Sequence, residues 1–155
     1  MNDLDRLDPR AVTLWRLSYL FRGAIFVAFA MAGDLIVDLP GPTGLLAFTL
    51  AVITVFVAVL APPMRYRAWG YRLRDDDLFL RHGVLARTSS IVPHARIQHV
   101  DTRHGPIDRW LGLAEVVVFT AGTRGAILSI PALDRATADT LRDRLAALSG
   151  AGDAV

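Results

Sequence analysis

From Gly44 to Ala61 the chain runs for 18 residues without a charged side chain. As an α-helix rising about 1.5 Å per residue, this run covers roughly 27 Å, close to the hydrocarbon thickness of a bilayer. A helix that is apolar all round has no face to turn to water, and a chain of 155 residues builds too small a core to enclose it. The run therefore reads as a transmembrane helix, and a buried helical pair in a soluble protein is the weaker reading. An earlier stretch, Leu17 to Leu39, reads the same way, although Arg22 and Asp34 lie within it, Asp38 stands at its very end, and only Gly23 to Gly33 is free of charge. These charges sit toward the ends, where side chains can reach the interface. Between the two stretches, Asp38-Leu39-Pro40-Gly41-Pro42-Thr43 holds the prolines and glycine that end one helix and reverse the chain. The expectation is a two-helix membrane hairpin over residues 1–63, with spans at about 17–39 and 44–61. A cleavable signal peptide is the rival reading of the first stretch, with Gly23 to Met31 as its apolar core and Ala30-Met31-Ala32 as its small-x-small site. Three Asp among the 22 residues ahead of that core argue against it.

Charge placement orients the hairpin. Arg6, Arg10, Arg16 and Arg22 precede it, Arg65, Arg67, Arg72 and Arg74 follow it, and the connecting turn has no basic residue. The positive-inside rule then puts both flanks in the cytoplasm, as expected of a multi-pass protein of the cell membrane. Trp15 and Tyr19 before the hairpin, and Tyr66, Trp69 and Tyr71 after it, fit an interfacial aromatic belt; Trp69 and Tyr71 fit the core of a following domain equally well. Asp8-Pro9 has the form of a helix start, so the first helix is expected to begin well before the bilayer. All 17 basic residues are Arg, and 15 acids oppose them, leaving a net charge of +2 and no bulk excess for nucleic acid. The absence of Cys excludes disulfides, thiolate metal sites and cysteine nucleophiles.

From about Tyr66 the pattern changes to short alternating runs broken by turn residues, which is the pattern of strands. The candidates are Ala68 to Arg74, Leu78 to His82, Val84 to Val92, Ile97 to Arg103, Glu115 to Thr120 and Ala126 to Ile130. Asp75-Asp76-Asp77, Gly83, Pro93-His94-Ala95 and Ala121 to Gly125 supply the breaks. Gly105 to Gly112 fits a short helical turn with Trp110 and Leu111 pointing inward. A closing helix begins at Asp134 as N-cap, carries Ala138, Leu141, Leu145 and Leu148 on one face, and stops at Gly150. The expected fold is α+β: a membrane hairpin carrying a small β-sandwich or open barrel over 64–150, capped by a C-terminal helix, with 151–155 a disordered tail.

Several motifs, in order, resemble one family. Val92-Pro93-His94-Ala95-Arg96-Ile97-Gln98-His99-Val100, Gly105-Pro106-Ile107-Asp108-Arg109-Trp110-Leu111-Gly112-Leu113, Phe119-Thr120-Ala121-Gly122 and Ile130-Pro131 follow two membrane helices. Pro9-Arg10-Ala11-Val12 and Leu14-Trp15-Arg16 precede them. Together they resemble the bacterial membrane-flanked PH-like domain of type 2, over nearly the whole chain. The resemblance implies about seven strands and a C-terminal helix on the cytoplasmic face. It also implies partnership with a larger membrane protein carrying several such domains. Ala132 departs from the pattern, since Gly is expected after Ile130-Pro131.

Catalytic constellations are absent from the sequence pattern. Ser89 and Ser90 lack a nucleophile-elbow context, Gly122 to Gly125 lacks the Lys of a phosphate loop, and His94, His99 and His104 are spaced five apart, without metal-ligand spacing. No cofactor is implied. Arg65, Arg67, Arg72 and Arg74 are candidates to face anionic lipid, although a purely topological role explains them too. Asp75-Asp76-Asp77 would repel a phosphorylated inositol. Arg96, Gln98, Arg103 and Arg109 are candidates for a partner surface, or for ion pairs that fasten strand to helical turn. The leading expectation is a non-enzymatic membrane protein that presents its PH-like domain to another membrane protein or to itself. Sensing of anionic headgroups is the alternative, and a membrane-bound hydrolase the least favoured reading.

Overall fold

The computed structural model describes residues 4–36, 42–121 and 127–150. Helix α1 (Ala11–Ile36) and helix α2 (Leu45–Ala68) form an antiparallel pair. Strands β1 (Gly70–Leu73), β2 (Asp77–His82) and β3 (Thr88–Pro93) make one antiparallel sheet. A 3₁₀ turn (His94–Arg96) leads into β4 (Ile97–Arg103), helix α3 (Pro106–Leu111), β5 (Leu113–Thr120) and β6 (Ile127–Asp134), and β4-β5-β6 form the second sheet. Helix α4 (Arg135–Gly150) packs across β4, β5 and β6. The α+β class and the PH-like arrangement stand; the strand count is six among the described residues rather than about seven. A further short pairing, Asp5 with Tyr71, lies at the edge of β1.

The apolar helices are not core helices. In their most apolar windows only 6% of the α1 residues and 17% of the α2 residues are buried. Phe21, Phe26, Phe29, Phe48, Val52, Phe56 and Leu60 stand exposed around them. In water that surface would be untenable; in hydrocarbon it is the favoured one. Where the helices touch each other, small residues line the contact: Gly23, Ala47 and Ala58 are buried. A methyl carbon placed on Gly23 would lie 2.0 Å from the Thr54 side chain, so the crossing requires a residue without one. Asp34 accepts a hydrogen bond from the Gly44 N–H at 2.8 Å and thereby places a carboxylate at the N-terminus of α2.

The structure departs from the sequence pattern at several element boundaries, with β5 starting at Leu113 rather than Glu115 and β6 running to Asp134 rather than Ile130, and in the facing of one side chain. Helix α2 does not end at Ala61 but runs through Pro62 and Pro63 to Ala68, which delays β1 to Gly70. The third strand begins at Thr88 rather than Val84, because Gly83 at φ 106° opens a turn. A Cβ at Gly83 would lie 1.9 Å from the Ala86 carbonyl oxygen. Trp110 is 77% exposed instead of inward. Ile107 and Leu111, one turn apart, occupy the inward stripe of the six-residue α3, and Trp110 is rotated off it. The connecting turn at 37–41, the glycine-rich turn at 122–126 and the tail at 151–155 lie outside the described residues.

One hydrophobic core unites the molecule. Tyr71, Leu78, Leu80 and Val92 from the first sheet meet Ile97, Val100, Val116, Val118, Ile130 and Leu133 from the second, with Ala138, Leu141 and Leu145 of α4. Asp134 caps α4 by accepting from the Ala136 N–H at 3.1 Å, as its position implies. Leu7, Ala11, Leu14 and Trp15 belong to the same core. The segment ahead of the first membrane helix is thus part of the β domain.

Candidate functional site

The junction between hairpin and domain begins at Leu4. Asp5 and Tyr71 exchange both backbone hydrogen bonds, at 2.8 and 3.0 Å, and the Asp8 N–H donates to the Ala132 carbonyl at 3.1 Å. The Tyr66 hydroxyl, on the last turns of α2, donates to the Leu7 carbonyl at 3.1 Å. Asp8 starts α1 by accepting from the Arg10 N–H at 2.8 Å, as an N-cap does. The Arg10 guanidinium then reaches three elements. It donates to both Asp8 carboxylate oxygens at 2.9 Å, to the Leu111 carbonyl at 2.9 Å and to Asp134 at 2.7 Å. Hydrogen bonding to Arg10 holds the Asp8 carboxyl below its usual range, and the two carboxylates raise the Arg10 guanidinium further. Arg10 ties α1 to the end of α3 and to the start of α4.

Ala132, which receives the Asp8 N–H, has φ 53°, the left-handed region that Gly favours. It sits where the β5–β6 register shifts, so β6 carries an extra residue beside Ala114 and Val116. The departure from Gly noted in the sequence therefore falls on the one non-glycine left-handed residue among those described.

Above this clamp, α1, α2 and the domain enclose a cleft of about 370 Å³. Leu14, Trp15, Ser18, Tyr19 and Arg22 line it from α1, and Arg65 from α2. Ile107 and Asp108 of α3, Glu115 of β5, and Pro131 and Ala132 of β6 line the opposite wall. The guanidinium of Arg65 lies 4.4 Å from the centre of the Trp15 ring, a cation–π stack. Asp108 accepts from the Gly105 N–H at 2.9 Å, which fixes the start of α3. A second cleft of about 400 Å³ opens on the other side of Arg65, where Trp69 and His82 stack at 5.0 Å beside Gly83, Val84 and Ile127. Val84 and the fully exposed Leu85 form the adjoining turn.

The four arginines proposed to face lipid do not form one group. Arg65 and Arg67 lie on the last turns of α2, Arg72 in β1, and Arg74 at the far end of β1 in the β1–β2 turn. There Arg74 pairs with Asp77 at 3.5 Å and lies 4.8 Å from the Phe79 ring. The second set is spread along β4: Arg96 precedes it and Arg103 ends it, about seven residues or roughly 23 Å of strand apart. Gln98 is exposed, Arg103 lies over Phe119 at 5.8 Å, and Arg109 projects from α3. Among the described residues, neither Arg96 nor Arg109 makes a side-chain hydrogen bond or ion pair. The Arg96 carbonyl instead accepts from the Ala121 N–H at 2.8 Å, which ties the start of β4 to the end of β5 and not to α3. Among the described residues no three His, Asp or Glu side chains form a metal-binding group. His94 is buried, His99 pairs with Asp101 at 2.6 Å, and His104 contacts the Leu113 carbonyl at 3.3 Å.

Sequence reasoning assigned Arg10 and Arg22 to topology and missed their places in the junction. A signal was present: Leu7, Ala11, Leu14 and Trp15 recur at i, i+4, i+7 and i+8, an apolar stripe that begins ahead of the membrane span.

A sequence model of the bacterial PH domain matches residues 23–149. The UPF0699 transmembrane protein YdbS of Bacillus subtilis (strain 168) is 30% identical over 156 residues, covering 96% of this chain and 94% of its own length. No solved structure matches the chain.

Proposed function

Because the chain belongs to the bacterial PH domain family and is a membrane protein, we propose that it is a non-enzymatic assembly module. Its hairpin holds the PH-like domain in the cytoplasm against the cell membrane, where the domain docks onto another membrane protein with PH-like domains or onto a second copy. The observation that carries this reading is the shared core: Leu7, Ala11, Leu14 and Trp15 are buried together with both sheets. A domain held this way offers its surfaces at a fixed height and orientation, which favours partners confined to the same bilayer by raising their effective concentration. Trp110, 77% exposed beside the exposed Arg109, is the surface residue pair of the type that dominates protein interfaces. The distribution of arginine around the hairpin supports the cytoplasmic orientation.

A photo-crosslinking amino acid at Trp110, activated in intact membranes, tests the proposal. Adducts with a membrane protein or a second copy are expected; recovery of monomer alone contradicts it. As the chain has no Cys, single cysteines at Arg109 and at Thr43 report orientation. The first is expected to be shielded from an impermeant thiol reagent in intact cells and the second labelled.

A further inference from the structure

The cleft between hairpin and domain has an uneven distribution of charge. Its cations, Arg22 and Arg65, come from the two membrane helices, and its anions, Asp108 and Glu115, come from the domain. Opposite charges lining one cleft ordinarily pair with each other. Among the described residues no ion pair joins either arginine to either carboxylate. The cleft thus keeps a positive wall and a negative wall with space between them.

Its position is set by α1. Leu14, Trp15, Ser18, Tyr19 and Arg22 lie on one face of that helix, so the groove runs about 12 Å along it. It ends at Arg22, immediately before the charge-free stretch that starts at Gly23. Arg65 enters from α2 four residues beyond the apolar run that ends at Ala61, about 6 Å from its end. Both arginines therefore stand at headgroup depth. The cation–π contact with Trp15 holds the Arg65 guanidinium without using its N–H donors, which are left for a planar or tetrahedral oxyanion. Tyr19 adds a hydroxyl donor on the same wall, whereas the Ser18 hydroxyl donates to the Leu14 carbonyl at 2.8 Å. A volume of about 370 Å³ lies at the small end of the range for ligand sites, about 300–1,000 Å³, and suits a headgroup rather than an acyl chain.

We propose that this cleft binds the headgroup of a membrane phospholipid that carries both a phosphodiester and a primary ammonium, with the phosphate between Arg22 and Arg65 and the ammonium between Asp108 and Glu115. A purely anionic headgroup would satisfy the arginines but bring negative charge to two carboxylates. A trimethylated headgroup could not donate hydrogen bonds to them. The site differs from a basic patch in selecting a zwitterion. It rests on the membrane placement of the hairpin and is independent of the protein partner.

Native mass spectrometry of the full chain, released from nanodiscs with equal amounts of phosphatidylethanolamine, phosphatidylglycerol and phosphatidylcholine, tests it. Phosphatidylethanolamine is expected to be retained at least fivefold over either competitor. Glu115→Gln is expected to abolish that preference over phosphatidylglycerol while keeping lipid bound, and Arg22→Gln to weaken retention of both. Soluble glycerophosphoethanolamine, which has the same headgroup without chains, is expected not to displace the lipid at micromolar concentration. Equal retention of the three lipids by the wild type, or an unchanged preference in Glu115→Gln, overturns the proposal. Displacement by micromolar soluble headgroup assigns the cleft to a free metabolite and overturns the lipid assignment. Circular dichroism and melting of each variant separate loss of binding from loss of fold.

Discussion

Ala132 shows how a single backbone conformation is enforced by its neighbours. Its carbonyl accepts from Asp8, its methyl is buried, and its φ of 53° is maintained despite the strain. Ala132→Gly would relieve a left-handed penalty of about 1–2 kcal/mol, but it loses a buried methyl worth about 0.8 kcal/mol and adds chain entropy of about 0.5–1 kcal/mol. A stability change of less than about 1 kcal/mol is expected. Ala132→Val adds a β-branch to a left-handed residue in a closed core, and a loss of about 2–4 kcal/mol is expected in detergent unfolding. Similar stabilities for the two variants would mean that the bulge rearranges freely. Asp8 makes a second prediction at this scale. Its pKa is lowered in the folded chain, so the unfolded chain binds the proton more tightly, and the Asp8–Arg10 pairing stabilises fully above the unfolded value of about 3.9. That contribution is lost as pH falls through the lower folded value. The melting temperature of the wild type is expected to fall more steeply below about pH 4 than that of Asp8→Asn; parallel curves would show that the pairing adds nothing.

The elements show which features can be read from a sequence and which cannot. Signals contained within a few residues translate directly: the N-cap at Asp134, the stripe Ala138, Leu141 and Leu145, and the turn at Gly83 stand where their chemistry puts them. Hydropathy also located both membrane helices, because exposure to lipid follows from the absence of charge. Features that depend on partners far along the chain were not legible. Arg10 meets Asp134, 124 residues away, and its guanidinium looked like one of four topological charges. Four arginines close in sequence around β1 separate in space because a strand of 3.3 Å per residue carries Arg72 and Arg74 away from the end of α2. Trp110 faces out because a helix of six residues has only one inward stripe, and Ile107 and Leu111 fill it. Among the described residues, α1 and α2 approach closely at Gly23 and Thr54. Gly23→Leu is expected to force α1 and α2 apart and to destabilise the protein by about 1–3 kcal/mol, the usual range for overpacking. Increased protease cutting between the helices would register it; wild-type resistance would show that another face of α1 can pair with α2.

At the scale of the whole molecule, the boundary between anchor and domain is not a linker. The chain enters through a strand-like pairing at Asp5, leaves its Leu7, Leu14 and Trp15 side chains in the domain core, and only then runs on into the exposed apolar part of α1. It returns through α2, whose Tyr66 hydroxyl bonds back to Leu7. Leu7 is 2% exposed, so Leu7→Ala removes a core side chain and is expected to cost about 2–5 kcal/mol. The proposed docking surface and the proposed headgroup site both depend on this rigidity, since each is defined only while hairpin and domain keep one geometry. The most direct test places spin labels at Leu46, at the far end of α2, and at Ala147, on the exposed face of α4, both as cysteines in a chain with none of its own. Electron–electron distance measurements in nanodiscs should give one narrow distribution that broadens in Leu7→Ala. A broad distribution in the wild type would mean that the domain swings on a tether, and would contradict the shared core.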